Sequence, residues 1–226
     1  MRQIVTLLIT VFLIGCSNKI KNLDGFKLLP PVQKIEYNND LSNLNFENIK
    51  FAHSDNNTEL PIRFDFTNHI ENNKQIESTI DYSIESNLNL NEEGYILNIF
   101  KNKISIIAKD EVGLFYAFIT LDQLLEDSKD KNANLPMVSI KDYPLLKFRP
   151  IHLDVKHHME KKSYYFNLID HLAKQKINGI IVEFEDKLKY ELRPEIGAPD
   201  APSIDWWIEI SEYANRRNIM INPLVQ

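Results

Sequence analysis

Residues able to do chemistry gather at three points in the last third of the chain. Asp154, Lys156, His157 and His158 form one cluster, Glu183, Glu185 and Asp186 a second, and Gln226 stands at the third. Each follows a short apolar run: Ile151–Val155, Ile177–Phe184 and Asn218–Val225. Carboxylates at strand ends suit glycosidic-bond hydrolysis, which generally uses two, one as acid and one as nucleophile or base. Spacing alone does not establish that chemistry. His152, His157 and His158 beside these acids raise the question of zinc. Neighbouring residues on an extended segment point opposite ways, however, and neither an H-E-x-x-H run nor a cysteine pair is present. No metal and no cofactor is expected. Asp154 and Glu183 have an equally good reading as satisfied structural groups. Asp186 sits at a strand exit, where a carboxylate can orient another group. Lys187 and Lys189 read as solvated. Trp206 and Trp207 are adjacent on a helix, so one faces the core, and both read as packing residues.

The elements that would position these clusters alternate between strand and helix. After a strand at Ile151–Val155, Tyr165, Leu168, Ile169 and Leu172 recur at helical spacing between Tyr164 and Lys174, with Ser163 as N-cap. Ile177–Phe184 is almost continuously apolar, as a strand covered on both faces should be. Ser203 caps a second helix reaching Arg217, and Asn218–Val225 is a third strand. This alternation predicts a parallel sheet or a (β/α)₈ barrel, with chemistry at the exits of the strands. A barrel closes with eight strands, so residues 146–226 are expected to be the first three βα units of an incomplete TIM barrel.

Upstream the texture differs. Ile62–Phe66, Tyr95–Ile99 and Ile104–Ala108 alternate with period two and read as antiparallel strands, the last two forming a hairpin. Between Val112 and Leu125 the residues Leu114, Phe115, Phe118, Leu121, Leu124 and Leu125 share a helical face, with Asp122 and Glu126 on the wet side. Lys129–Asn134 reads as a polar loop and Val138–Ile140 as a short strand, broken by Asp142-Tyr143-Pro144. Residues 29–145 are therefore predicted to form an α+β domain, about five strands under one helix.

The ends and the composition add compartment. Met1 and Arg2 precede an apolar run from Ile4 to Ile14, the length of a signal-peptide core and too short to span a bilayer. The run ends in Leu13-Ile14-Gly15-Cys16, which resembles a bacterial lipobox. Residues 1–16 are thus expected to be a lipoprotein signal peptide and 17–28 a polar tether, with the thiol of Cys16 carrying lipid. This is the only cysteine, so no disulfide is expected. The net charge is -6 (26 basic, 32 acidic) and becomes -7 if Arg2 is removed, 25 against 32. That balance argues against nucleic acid, whose phosphates call for clustered Lys and Arg.

Several stretches resemble a known family. These are Glu111-Val112-Gly113-Leu114-Phe115-Tyr116-Ala117, Thr120-Leu121-Asp122-Gln123-Leu124, Ile140-Lys141-Asp142-Tyr143-Pro144, and Phe148-Arg149-Pro150-Ile151-His152-Leu153-Asp154-Val155. In this order they resemble the β-N-acetylhexosaminidases of glycoside hydrolase family 20. Ile180-Ile181-Val182-Glu183-Phe184-Glu185-Asp186 and Asn222-Pro223-Leu224-Val225-Gln226 are most similar to the hexosaminidase-D-like branch. The resemblance runs from about residue 28 to 226. It implies a small α+β domain before a catalytic barrel, and removal of terminal N-acetylglucosamine or N-acetylgalactosamine with retention. The substrate's own acetamide oxygen would attack the anomeric carbon, in place of an enzyme nucleophile.

The resemblance also assigns roles. An Asp-Glu pair after the fourth barrel strand orients the acetamide and protonates the leaving group, so no catalytic residue is expected among these 226. His157 falls where the family places a sugar-binding arginine, and a neutral imidazole lacks that fork of donors. Glu183 falls where many members have a histidine. Asp186 matches an aspartate that pairs with a histidine after strand three, a position beyond Gln226. Arg149 matches a mainly structural arginine. The expectation is a lipid-anchored envelope protein, periplasmic or surface-facing, whose family acts on N-acetylhexosamine glycans and which is inactive as the chain stands. The other reading is a non-catalytic lipoprotein that binds glycan or a partner.

Overall fold

A computed structural model describes residues 26–45, 50–51, 79–156 and 158–224. Cys16, the strand expected at Ile62–Phe66, His157 and Gln226 lie outside the described residues. The first unit is a six-stranded sheet made of β1 (Lys34–Leu41), β2 (Lys50–Phe51), β3 (Thr79–Ile84), β4 (Tyr95–Ile99), β5 (Lys103–Ala108) and β6 (Pro136–Asp142). Their order is β1-β6-β4-β5-β3-β2. The expected hairpin is β4–β5, with Ile96 opposite Ile107, closed by the Phe100 N–H donating to the Lys103 carbonyl at 2.8 Å.

The sheet is not wholly antiparallel. β3 runs parallel to β5, with Ile80 beside Ile104, and β2 runs parallel to β3. Period-two alternation reports which face of a strand is buried and says nothing of its direction, so the mixed sheet was not readable from pattern. Val138–Ile140 proves to be the middle of the seven-residue β6, which pairs on both sides.

Among the described residues one helix, α1 (Glu111–Lys131), covers the sheet. Asp110 caps it, its carboxylate accepting from the Gly113 N–H at 2.7 Å, and Asn132 ends it in the left-handed region at φ 47°. The helix therefore takes in Lys129–Lys131, which had been expected to form loop. Asp122 is buried, not wet, because α1 is covered on its far side as well. Gln123 bonds the Leu29 backbone and donates to the Lys174 carbonyl at 3.0 Å, and Glu126 pairs with Lys174 at 2.5 Å. A single amphipathic stripe describes a helix with one wet face, and α1 has neighbours on both sides.

The second unit is β7 (Pro150–Asp154), α2 (Lys162–Lys174), β8 (Gly179–Glu183), α3 (Ile204–Asn215) and β9 (Met220–Leu224), with the strands parallel in the order β7-β8-β9. Ser203 caps α3 as expected, accepting from the Trp206 N–H. Ser163 does not cap α2, which starts two residues earlier than expected with Lys161 at the cap position. There the Tyr165 hydroxyl accepts from the Glu160 N–H at 3.1 Å and steadies the entry. Leu153, Ile180, Val182 and Ile221 meet Tyr165, Ile169, Trp207 and Ile210 of the two helices. Trp207 is buried and Trp206 half-buried against it, at 4.8 Å between ring centroids. Gly179 opens β8 because the Phe148 ring lies where a Cβ would stand.

A dense seam joins the units at the N-terminal ends of β7 and β8. The Arg149 guanidinium donates to Glu93 at 2.6 Å, to the Tyr116 hydroxyl at 3.0 Å and to the carbonyls of Leu146 and Lys176 at 2.7 and 2.9 Å. Lys176, at φ 56° just after α2, sends its ammonium to Asp142 at 2.7 Å and to the Tyr95 hydroxyl at 2.9 Å. The structural role that the resemblance gives Arg149 matches this geometry. The seam fixes where β7 and β8 begin, and hence where they end.

Candidate functional site

In adjacent parallel strands, residues in register project to the same side. The helix side takes Leu153, Ile180, Val182 and Ile221. The opposite side of the sheet therefore carries His152 and Asp154 of β7, Ile181 and Glu183 of β8, and Asn222 and Leu224 of β9. Asp154 and Glu183 are the last residues of their strands and lie side by side. This helix-free face is polar at its C-terminal end.

Lys156 organises that end. Its ammonium lies 2.7 Å from Glu183 Oε1, 3.6 Å from Glu185 and 3.9 Å from Asp154, while its own N–H donates to Asp154 at 3.0 Å. His152 Nε2 approaches the other Glu183 oxygen at 3.1 Å. Glu183 is buried, so its carboxylate is held between two donors at the base of the cluster. The hydrogen bond to Glu183 is the foremost reason that Lys156 sits above the ordinary lysine range. The fields of Glu183, Asp154 and Glu185 act in the same sense, against desolvation. Lys156 thus stays an ammonium throughout the neutral range and serves as a donor, not a base. Three carboxylates against one lysine leave the rim acidic.

Of the expected site residues, Glu183 lies at the centre of this cluster. Asp186 stands to one side. Glu185 takes the left-handed region at φ 43° and turns the chain, so that Asp186 pairs with Lys187 at 2.9 Å, and its backbone carbonyl accepts from Ala198 N–H at 2.8 Å. Lys187 is therefore half-buried and ion-paired, not a free solvated cation. His157 lies outside the described residues. The expectation about Asp154 is met in part, since it ends β7 and braces the backbone of Lys156. Lys156 and His152 carry more of the site than was foreseen. The signal was present: His152, Asp154 and Lys156 stand at i, i+2 and i+4, the spacing that puts extended residues on one face. Among the described residues, no three His, Cys, Asp or Glu side chains converge as metal ligands. The arrangement offers fixed donors and acceptors at the strand ends, groups able to hydrogen-bond hydroxyls.

A mixed sheet under a helix is continued by a parallel β-α-β-α-β unit with acidic strand ends, and comparison with known proteins places that architecture. The pattern described as glycosyl hydrolase family 20, domain 2, matches residues 27–143. That is more than half of the 226 residues, and the chain belongs to glycosyl hydrolase family 20. A β-hexosaminidase of Porphyromonas gingivalis is 38% identical over 107 residues, covering 45% of this chain and 14% of that protein. A β-hexosaminidase of Vibrio vulnificus is 29% identical over 99 residues, covering 44% of this chain and 11% of that one. The chain therefore aligns with only a small part of these relatives. Among solved structures, a β-N-acetylhexosaminidase from Bacteroides fragilis superposes with a TM-score of 0.70 at 21% identity, over 89% of this chain and 45% of that one. At that identity the likeness speaks for the fold.

Proposed function

We propose that this chain provides the α+β domain and the opening arc of a (β/α)₈ barrel in a β-N-acetylhexosaminidase acting on terminal N-acetylhexosamine residues of glycans. One observation carries the reading: a family 20 domain is followed directly by parallel strands whose helix-free face ends in a polar cluster. Barrel enzymes place their chemistry at that end of the strands. In this reading the ammonium of Lys156 and the carboxylates of Glu183 and Asp186 hold sugar hydroxyls or the groups that touch them, and the family resemblance adds His157 to the set. The acid and the acetamide-orienting carboxylate belong after a fourth strand and are not among β7–β9. Hydrolysis proceeds with retention through attack by the substrate's acetamide oxygen. Support comes from the relatives, which are named β-hexosaminidases over stretches that overlap this chain.

Reading the gene past the codon for Gln226 tests this directly. A frame that continues into a strand with an Asp-Glu pair, and whose product releases chromophore from a p-nitrophenyl N-acetylhexosaminide, is the expected result. Residues 1–226 alone should release none above a mock preparation. A full-length product that folds and leaves such substrates intact would sink the proposal. We further propose that Cys16 carries the lipid and holds the protein in the cell envelope, since Leu13-Ile14-Gly15-Cys16 ends an apolar run of signal-peptide length. Cys16→Ala should move the protein from the membrane to the soluble fraction and abolish incorporation of labelled fatty acid. An unchanged distribution counts against the anchor.

A further inference from the structure

The seam borders an open cavity of about 230 Å³ between the two units. It opens at the N-terminal ends of β7 and β8, opposite the polar strand ends, and so does not depend on the hexosaminidase reading. Arg149 and Lys176 line its floor, each matched by a carboxylate, Glu93 for one and Asp142 for the other. Two cations and two anions leave the floor neutral. Pro30, Pro31, Tyr143 and Pro144 wall the space, and Leu145 and Leu146 stand at its mouth, 76% and 67% exposed. The side-chain amides of Gln33 and Gln175 also line it, and neither makes a hydrogen bond to another described residue.

We propose that this cavity binds a neutral small molecule built on a flat apolar ring with one hydrogen-bonding group, and that the bound molecule strengthens the docking of the two units. Size fits the ring: an apolar cavity of about 150 Å³ holds benzene, so this one accommodates a bicyclic ring. Proline and tyrosine walls offer apolar contact, and the two glutamine amides offer a donor and an acceptor at the lip. Charge is selected against. An ionic ligand loses its hydration and meets a floor whose charges are already paired. Coupling follows from position. Pro30, Pro31, Gln33 and Glu93 belong to the first unit, and Gln175 and Lys176 to the second. A ligand touching both is bound only when they are docked, so it stabilises that arrangement by mass action.

The test titrates indole into the full chain while following side-chain amide signals by NMR, with benzoate and benzylamine as charged counterparts of similar size. The expected result is saturable binding with shifts centred on Gln33 and Gln175, and charged probes about ten-fold weaker or worse. At ten times its Kd, indole should raise the thermal midpoint by about 3 °C. Gln175→Trp places a large side chain at the mouth and should weaken indole about ten-fold or more. Should that variant lose its circular dichroism signature, Leu146→Asp, on an exposed position, serves instead and should weaken indole about three-fold or more. Non-saturating or dispersed shifts overturn the proposal. So does benzoate binding as tightly as indole, or indole affinity that a folded Gln175→Trp or Leu146→Asp leaves unchanged.

Discussion

At one end of β7 and β8, Lys176 and Arg149 are sunk between two units, each against a carboxylate. At the other end, Lys156 stands among three carboxylates at an open rim. Both ends set cations against carboxylates. The difference lies in water. Lys176 and Asp142 have side chains only 9% and 10% exposed, and the pair also engages Tyr95, which in turn meets Thr120 at 2.5 Å. Such a network tolerates no missing member, because each removal leaves a buried polar group without its partner. Lys156 is 23% exposed, and of its carboxylate partners Asp154 and Glu185 are 38% and 47% exposed while Glu183 is buried. Water can replace a lost contact at the outer two, and His152 remains beside the third. The seam is built for position and the rim for exchange with something outside.

The sharpest way to break that contrast is Lys176→Met. It leaves the buried Asp142 carboxylate without its counter-charge, held only by the Tyr95 hydroxyl and the Gln33 N–H, and should cost about 3 to 5 kcal/mol in urea unfolding. Lys156→Met should cost less, since buried Glu183 keeps His152 and the other two carboxylates are open to solvent. Replacing both seam partners, Lys176→Met with Asp142→Leu, should recover much of the loss, because the stranded charge is gone. Equal losses for Lys176→Met and Lys156→Met would erase the distinction between the two ends.

Alkaline pH probes the seam next. Burial, first among the causes, pushes Tyr116 up to about 12 despite the nearby Arg149 charge. Burial and the Asp142 carboxylate hold Tyr95 well above the usual tyrosine value. In the unfolded chain both ionise near pH 10. Above that pH the unfolded state sheds protons that the folded state keeps, so stability falls as pH rises. Lys176 works the other way at lower pH. Burial lowers it, so its contribution to stability rises with pH until the unfolded lysine also loses its proton and is flat beyond. The net decline should begin above about pH 10 and reach roughly 2 to 3 kcal/mol for Tyr116 alone near pH 12. Tyr116→Phe should flatten the decline in unfolding free energy measured across that range. A slope unchanged by the substitution would place the cause elsewhere.

Arg149→Lys is a smaller perturbation that tests geometry at constant charge. One ammonium cannot reach Glu93, Tyr116 and two carbonyls together, so about 1.5 to 3 kcal/mol should be lost.

Much of this contrast was legible beforehand and some was not. Strand–helix alternation after Pro144 exposed the parallel unit, and the paired run Tyr95–Ile99 and Ile104–Ala108 exposed the hairpin, because local periodicity suffices for both. β1 and β3 escaped notice. Lys34–Leu41 is largely exposed or half-buried and lacks a clean alternation, and the direction of β3 is set by its partner β5, far along the chain. Glu183 and Lys156 were both picked out at strand exits, yet Lys156 was given no role of its own, since its importance depends on which carboxylates converge in space. Lys176 gave no signal at all. It follows a helix as an ordinary lysine does, and only its left-handed turn buries it.

Asp186→Asn should produce the smallest change in stability, and for that reason it separates the rim from the seam most cleanly. Its pair with Lys187 is 44% exposed on the carboxylate side, and pairs of that kind are worth about 0 to 1 kcal/mol. The amide keeps the shape and one acceptor, while the backbone bond from Ala198 to the Asp186 carbonyl is untouched. Unfolding should therefore match the parent within that range. If Asp186 positions groups around a sugar, the same substitution in a full-length hexosaminidase should lower kcat/KM by roughly ten- to a hundred-fold, as slight misplacement near a reacting centre does. Rescue by Asp186→Glu should be partial, because the charge returns with a longer reach. A variant with unchanged unfolding and unchanged kcat/KM would return Asp186 to the surface residues and leave Glu183 and Lys156 as the working part of the rim.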